Sequence, residues 1–330
     1  MISIKKYNNK LQKDWDNFVK RSKYGTLFQT QKFLSYHITK KFIDFSLLFY
    51  KKNVIVAVLP AAIIKNKNTY SIISHPGASY GGFIFLKSDF LLYKRVILAF
   101  ESLCKEKKFY HCKIIPTPVY YENENENMAE YVLSLHNYVL SERYISHVIY
   151  LKSNNPISYF NQRKQRYLKN RLINNKSYTF KKIDNLQCFY SMLVKNKRKF
   201  NTSPTHSLEE IKNILKLYPK SCKLTGTYYN NQLIGGTMVF ITTTTTGLLF
   251  YNVVSEEKKH ANLGTFQVYQ CINFCLQKKL LILDLGVSHL PNNKNPLEPK
   301  LSLIQFKEQC GGVGVMRNVF EKNNNNYAKK

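Results

Sequence analysis

The sequence predicts an α/β protein with mixed sheets, built from one architectural unit written twice. Three observations carry that prediction. The first is a pair of hairpin-like segments: Asp44 to Tyr50 runs through Lys51-Lys52-Asn53 into Val54 to Ile64, and Lys223 to Tyr229 runs through Asn230-Asn231-Gln232 into Leu233 to Ile241. Each is a pair of β-rich runs around a short polar turn. The second is the sequel, because both halves continue with strand-like sequence, a long helix and one more apolar strand. The third is size: 330 residues at 44% hydrophobic content suffice for two domains with their own cores. Repetition of a whole ββ…αβ unit implies two similar domains, 1–150 and 151–322, with a ligand cleft between them and a disordered tail at 323–330.

The elements follow in order. Asp14 to Ser22 reads as a short amphipathic helix and Thr30 to Lys41 as a second. Thr69 to Ser74 is a third strand after the first hairpin. His75-Pro-Gly-Ala-Ser-Tyr-Gly-Gly82 is a turn whose Gly81 and Gly82 permit unusual backbone angles and close approach of a ligand. Phe83 to Leu86 returns as a strand, Ser88 caps a helix reaching Lys107, and Tyr110 to Ile115 closes the unit before Pro116 and Pro118. Glu122 to Asn127 is an acidic low-complexity loop, and Lys152 to Pro156 crosses into the second domain. There, Asn185 to Lys199 is a helix, and Ser207-Leu-Glu-Glu210 is a capping box that starts another. Gly247 to Val254 is a buried strand, Asn262 opens a helix running through Leu276, and Leu281 to Val287 is a strand ending in Ser288-His289.

The formal charge of +30 invites a nucleic-acid reading. Lys greatly outnumbers Arg, and Asn, Ile and Tyr are abundant, which is the composition an AT-rich genome imposes on any surface. The excess still creates a field that favours anionic ligands such as CoA, nucleotide sugars, tRNA or acidic membranes. On a helix, Arg163, Arg166 and Asn170 share one face, either solvated or in contact with an anion. No apolar run is long enough to span a membrane, and the N-terminus lacks the apolar core of a secretory signal, so the expected location is cytoplasmic, with peripheral contact to acidic membranes. Seven cysteines with no CxxC imply reduced thiols. Cys271 and Cys275, one helical turn apart, read as the apolar face of a helix, because no matching His or Cys pair completes a metal site. No metal cofactor is expected.

The order of helices, hairpin, strand, Gly-containing helix start and final strand resembles the GNAT acyltransferase fold. The tandem arrangement resembles the FemABX-like branch, which includes bacterial proteins found with surface-polysaccharide enzymes. The resemblance covers most of the chain and rests on Gly25 to Phe33, His75 to Gly82, Asp284 to Ser288 and Phe306 to Gly311. In GNAT enzymes a Gln/Arg-x-x-Gly-x-Gly/Ala turn before the long helix holds the CoA pyrophosphate on backbone N–H groups. Here that stretch is Lys259-His-Ala-Asn-Leu-Gly264, with Lys for the usual Gln or Arg and Asn262 for the first Gly. The resemblance therefore implies a donor site at Asn262, Gly264 and Thr265, beside Tyr251 and Asn252. A Phe-Lys pair near the C-terminus is associated with the acyl donor in Fem-type transferases. Phe306-Lys307 matches it and places a lysine ammonium against a developing oxyanion or a donor phosphate.

Asp284 lies within an otherwise apolar strand, where an ionised carboxylate needs a partner or a raised pKa. It either orients the acceptor amine, pairs with a lysine or holds structure. His75, Ser79, Tyr80, Gly81 and Gly82 form the expected acceptor pocket, with Ser288 contributing. Cys310 reads as core packing rather than as a nucleophile, since no His is fixed near it by spacing. These readings lead to an N-acyltransferase moving an acyl group from acyl-CoA or a similar carrier to an amino group of an amino sugar in surface-glycan synthesis, on a nucleotide or lipid carrier. Two alternatives stand beside it. One is a Fem-like transferase that uses aminoacyl-tRNA on a peptidoglycan precursor. The other is a non-catalytic basic protein that associates with RNA or membranes. The oligomeric state is left open.

Overall fold

The computed structural model describes residues 1–37, 42–66, 69–121, 127–255, 262–289, 295 and 297–324. The chain begins with β1 (Ser3–Lys6), α1 (Gln12–Arg21) and α2 (Gln31–Leu34). The strands β2 (Ile43–Asp44), β3 (Leu47–Lys51), β4 (Val54–Leu59), β5 (Ala61–Asn66), β6 (Thr69–Ser74) and β7 (Ile84–Phe85) follow. Next come α3 (Phe90–Glu106), β8 (Phe109–Ile114), α4 (Met128–Leu135) and β9 (Val139–Tyr150). The second half contains α5 (Gln162–Tyr167), β10 (Tyr178–Lys182), α6 (Leu186–Arg198), α7 (Leu208–Leu217), β11 (Cys222–Tyr229), β12 (Gln232–Ile241) and β13 (Thr246–Val254). It ends with α8 (Leu263–Gln277), β14 (Ile282–Val287), α9 (Leu301–Gln309) and β15 (Val313–Asn323). The chain forms two compact units, Met1–Arg143 with Arg317–Lys330, and Tyr144–Met316.

In the first unit β3 pairs antiparallel with β1 and β4, and β4 with β7. A second set joins β2, β5 and β6 antiparallel, and β6 lies parallel to β8 across the α3 crossover. The expected single strand Val54 to Ile64 is broken at Pro60, and its halves β4 and β5 enter different sheets. Proline has no N–H to give to a ladder, so a continuous central strand could not pass through it. Apolar residues of β3, β4, β6 and β8 pack against Tyr93, Val96, Ile97 and Phe100 of α3, whose spacing puts them on one face. That helix is capped by Asp89, whose carboxylate accepts from Leu92 N–H at 2.9 Å, rather than by Ser88.

The expected helix Thr30 to Lys41 is confined to α2; residues 38–41 lie outside the described residues. Thr30 caps it, and the Asp16 carboxylate accepts from the backbone N–H groups of Gln31 and Lys32 at 2.7 and 3.3 Å. The acidic stretch at 122–126 and the tail at 325–330 also lie outside the described residues. Asn323, assigned by the sequence to the tail, instead ends β15 opposite His111, and Asn324 N–H donates to Tyr110 C=O at 2.8 Å. An unpaired edge of β8 offers ladder partners that outweigh the polar composition of this stretch.

The segment Gly25 to Phe33 owes its place to Gln29, which is fully buried. Its Oε1 accepts from Thr26 N–H and from the Thr26 hydroxyl at 2.9 and 3.0 Å. Its Nε2 donates to Gly81 C=O and to Thr117 Oγ1, and Trp15 Nε1 donates to the Gln29 carbonyl at 2.8 Å. A Gln29→Leu substitution keeps the volume but strands several buried polar groups, and is expected to lower the unfolding free energy by about 3 kcal/mol in urea titrations.

In the second unit the order is β10-β11-β12-β13-β14-β9. Neighbours are antiparallel except β13 and β14, which run parallel across the α8 crossover. The motif of antiparallel strands, helix and parallel strand thus recurs in both units. The core of this unit gathers Val268, Ile272 and Cys275 of α8 against Leu249, Leu283 and Leu285 of the sheet.

Candidate active site

Two bulges shape the centre of the second unit. In β13, Tyr251 lies opposite Met238 and Leu249 opposite Val239, leaving Phe250 as an extra residue. In β14, Asp284 lies opposite Val148 and Val287 opposite Ser146, so Leu285 and Gly286 face the single residue His147. Bulges bend the strand and release backbone groups from the ladder. Parallel pairing of β13 with β14 is accordingly confined to Thr246–Leu248 against Ile282–Asp284, and beyond those residues the two strands part.

The first turn of α8 stands beside this opening. Asn252 Nδ2 donates to Gly264 C=O at 3.2 Å, and a Cβ placed on Gly264 would meet the Phe306 ring at 3.7 Å and Asn252 Nδ2 at 3.8 Å. Asn252, Gly264 and Phe306 are therefore brought together as the sequence expects. Asn262 adopts the left-handed conformation at φ 59°, which asparagine tolerates, and its side chain makes no cap bond to α8. Its Oδ1 instead accepts from Lys164 Nζ of α5. Burial holds the Lys164 ammonium below its ordinary pKa. Residues 259–261 of the expected turn lie outside the described residues. Thr265 is buried, with its hydroxyl against the Cys310 thiol, and burial pushes that thiol up to about 12. Cys310 is thus a core residue and not a nucleophile. Arg163, Arg166 and Asn170 line a common cavity of about 640 Å³ with Tyr167.

Tyr251 does not join this group. Successive strand residues face opposite sides, and its hydroxyl lies 3.1 Å from His206 Nδ1 and accepts from His206 N–H at 3.3 Å. His206 sits in the loop before α7, and no spacing signal ties it to Tyr251.

Asp284 and Lys307 meet across one short piece of backbone. The Asp284 carboxylate, fully buried, accepts from Gly286 N–H at 2.6 Å and from the Ser146 hydroxyl at 3.2 Å. Lys307, 4% exposed, donates through Nζ to Gly286 C=O at 2.6 Å and Val287 C=O at 2.8 Å. Gly286 has φ 75°, a region that favours glycine. A Cβ there would meet nothing within 4 Å, so the bulge borders open space. The carboxylate thus draws in the N–H of the bulge while the ammonium holds its carbonyls. Two histidines that the sequence does not single out complete the cluster. His147 Nδ1 lies 2.9 Å from Ser288 Oγ, which is buried rather than exposed to a ligand. His289 Nε2 accepts from Ile145 N–H at 3.0 Å. Burial, reinforced by the Lys307 cation, lowers the pKa of both rings and favours neutral imidazoles around the buried ammonium. Their signal was unreadable, since His147 is distant in sequence from Ser288 and only strand pairing joins them.

In the first unit the turn at His75 to Gly82 is mostly interior. His75, Tyr80, Gly81 and Gly82 are buried, leaving Pro76 exposed and Ala78 and Ser79 partly so. His75 Nδ1 accepts from Gly77 N–H at 3.1 Å, and Gly81 N–H donates to Ile115 C=O at 2.9 Å. Gly82 has φ 64°, and a Cβ there would lie 2.8 Å from Pro116 Cα. The glycines admit neighbouring backbone, not a ligand. Arg317 lies over the Tyr80 ring at 5.4 Å and donates to Ser79 C=O at 3.0 Å.

No family model matches the chain, and no curated protein matches it by sequence. Solved structures do match it in fold. FemX superposes with a TM-score of 0.71 at 12% identity, covering 98% of each chain. A tandem GNAT protein from the clavulanic acid biosynthesis pathway superposes at 0.55 and 10% identity over all of both chains. L-PGS from Bacillus licheniformis superposes at 0.59 and 12% identity over 95% of this chain and 92% of the other. The fold is that of the FemABX/GNAT-like acyltransferases, in its tandem form. Among the described residues no group of His, Cys, Asp and Glu side chains is arranged to hold a metal ion, and no helix is long and apolar enough to cross a membrane.

Proposed function

We propose that the chain is an N-acyltransferase that seats an activated acyl donor in the second unit and transfers the acyl group to an amine. The observation that carries this reading is the parting of β13 from β14 beside the first turn of α8. An extended acyl carrier fits such an opening and can complete the hydrogen bonding of strand edges released by the bulges. The α8 N-terminus has no side-chain cap and carries Lys164 against the positive end of its dipole, so an anionic group there relieves an unfavourable juxtaposition. The neutral amine attacks the acyl carbon directly; the new C–N bond replaces the bond from that carbon to the carrier, and the carrier leaves with the proton that the amine gives up. Backbone N–H groups at the Phe250 bulge and the Lys307 cation supply stabilisation for the developing oxyanion.

The donor class is acyl-CoA or a similar carrier, and the acceptor class an amino sugar of surface-glycan synthesis, on a nucleotide or lipid carrier. A Fem-like reaction with aminoacyl-tRNA on a peptidoglycan precursor is the second reading. It is favoured by the likeness to FemX and by the cavity lined by Arg163, Arg166 and Asn170. The acceptor is assigned to the first unit, where Pro76, Ala78 and Ser79 are the outward members of the 75–82 turn.

Calorimetric titration with acetyl-CoA and with an aminoacyl-tRNA separates the two readings. Gly264→Leu is the informative variant, because leucine favours a helix while filling the space before Phe306 and Asn252. It is expected to weaken the preferred donor by about tenfold or more, equivalent to ~1.4 kcal/mol. Binding of neither donor, or unchanged binding in the variant, overturns the assignment.

A further inference from the structure

A second cavity, of about 1060 Å³, lies in the second unit on residues that the proposed chemistry does not use. Its location follows from strand lengths. β10 pairs with β11 from Tyr178–Tyr229 to Lys182–Thr225 and ends there. Cys222, Lys223 and Leu224 of β11 therefore have β12 on one side and no strand on the other. The groove over that bare edge is closed by the C-terminal half of α8 and by the segment that follows α7.

The lining has two characters. Ile183, Leu186, Leu224, Val239 and Phe274 supply an apolar surface, with Ile183 and Leu224 almost wholly buried. Lys181, Lys182, Lys220, Lys223 and Lys278 line the same groove with exposed side chains, and among the described residues no carboxylate lines it. Lys181 is paired with Asp184 at 2.9 Å, outside the lining. The other four lysines have no ion-pair partner among the described residues. Lys223 holds its ammonium 4.3 Å above the Phe274 ring, at the junction of the cationic and apolar parts. Such a site suits a molecule with an anionic head and a hydrocarbon tail, because the tail needs the apolar surface and the head needs the lysines. A peptide strand adding to the bare edge is disfavoured. The edge is only three residues long, and a lysine in it is a common means of blocking strand addition.

We propose that this groove binds a phosphate-headed lipid, with the phosphate on Lys220 and Lys223 and the chain over Val239 and Phe274, which share the face of the sheet that Lys223 occupies. The site is separate from the donor opening, and the inference does not depend on the identity of the donor.

Calorimetry on the full chain tests it, using a short-chain lysophosphatidic acid at monomeric concentration, the matching lysophosphatidylcholine, inorganic phosphate and an acidic peptide. The lysophosphatidic acid is expected to bind at one site, and the other three probes about tenfold or more weaker. Lys220→Glu/Lys223→Glu, which alters only exposed side chains, is expected to weaken lysophosphatidic acid by about tenfold, because it sets like charges together. Lys94→Glu/Lys105→Glu, an equal charge change on exposed positions of α3, is expected to leave it unchanged. Equal weakening in both double variants would show a mere net-charge effect and overturn the site. Phosphate or the peptide binding as tightly as the lipid would overturn the lipid assignment, as would a tight choline lipid or no lipid binding at all.

Discussion

Lys307→Met is expected to lower kcat by about a hundredfold or more, the scale of losing one oxyanion donor, with a smaller effect on donor affinity. The same change is expected to lower stability by about 3 kcal/mol. The two effects share a cause. The buried Lys307 ammonium is the donor to the partly buried carbonyls of Gly286 and Val287, so its loss leaves both acceptors without that donor at the bulge that opens β14. Methionine retains the apolar stem but neither the charge nor the donors. Lys307→Arg is expected to rescue in part, because a planar fork does not fit a site made for a compact ammonium. Urea titration reads the stability, and steady-state transfer with the donor identified by calorimetry reads kcat and KM. A folded Lys307→Met protein with wild-type turnover confines this lysine to structure, while unchanged stability removes the clamp.

Asp284→Ala is expected to cost about 3 kcal/mol, because the Gly286 N–H and the buried Ser146 hydroxyl lose their acceptor. Asp284→Asn retains one acceptor oxygen and is expected to cost about half as much. The double variant Asp284→Asn/Lys307→Met tests whether the two side chains act through the same residue, Gly286. Carboxylate and ammonium bracket Gly286 from its N–H and its C=O, so their effects are expected to be non-additive by about 1 kcal/mol. Strict additivity in a double-mutant cycle, measured by urea titration, shows that the two residues support the backbone independently.

The repeat was legible because it lies in local patterning. The turns at Lys51-Lys-Asn53 and Asn230-Asn-Gln232, the capping box at Ser207 and the long apolar helices all announce themselves within windows of a few residues. Asn252, Gly264 and Phe306 were also nameable, on resemblance rather than on pattern, and they do converge on the first turn of α8. The break at Pro60 was not read from the run Val54 to Ile64, although a proline lacks the N–H a central ladder needs, and the assignment of the two halves to different sheets required the completed pairing.

What the tertiary structure decided is which way each side chain faces and which distant segments become neighbours. Tyr251 and Asn252 are adjacent, yet pleating sends one to His206 and the other to α8. His75 and Tyr80 look ligand-ready in a glycine-rich turn, yet that turn closes on Pro116 and Ile115 and places them in the core. Lys307 and Asp284 could be suspected individually, as a matched motif and as a charge in an apolar strand. Their shared engagement of Gly286 depends on a bulge, and a bulge is set by the register between two strands rather than by either sequence alone. Local propensity is written in short windows, whereas burial and register are settled by the whole chain finding partners for its buried polar groups.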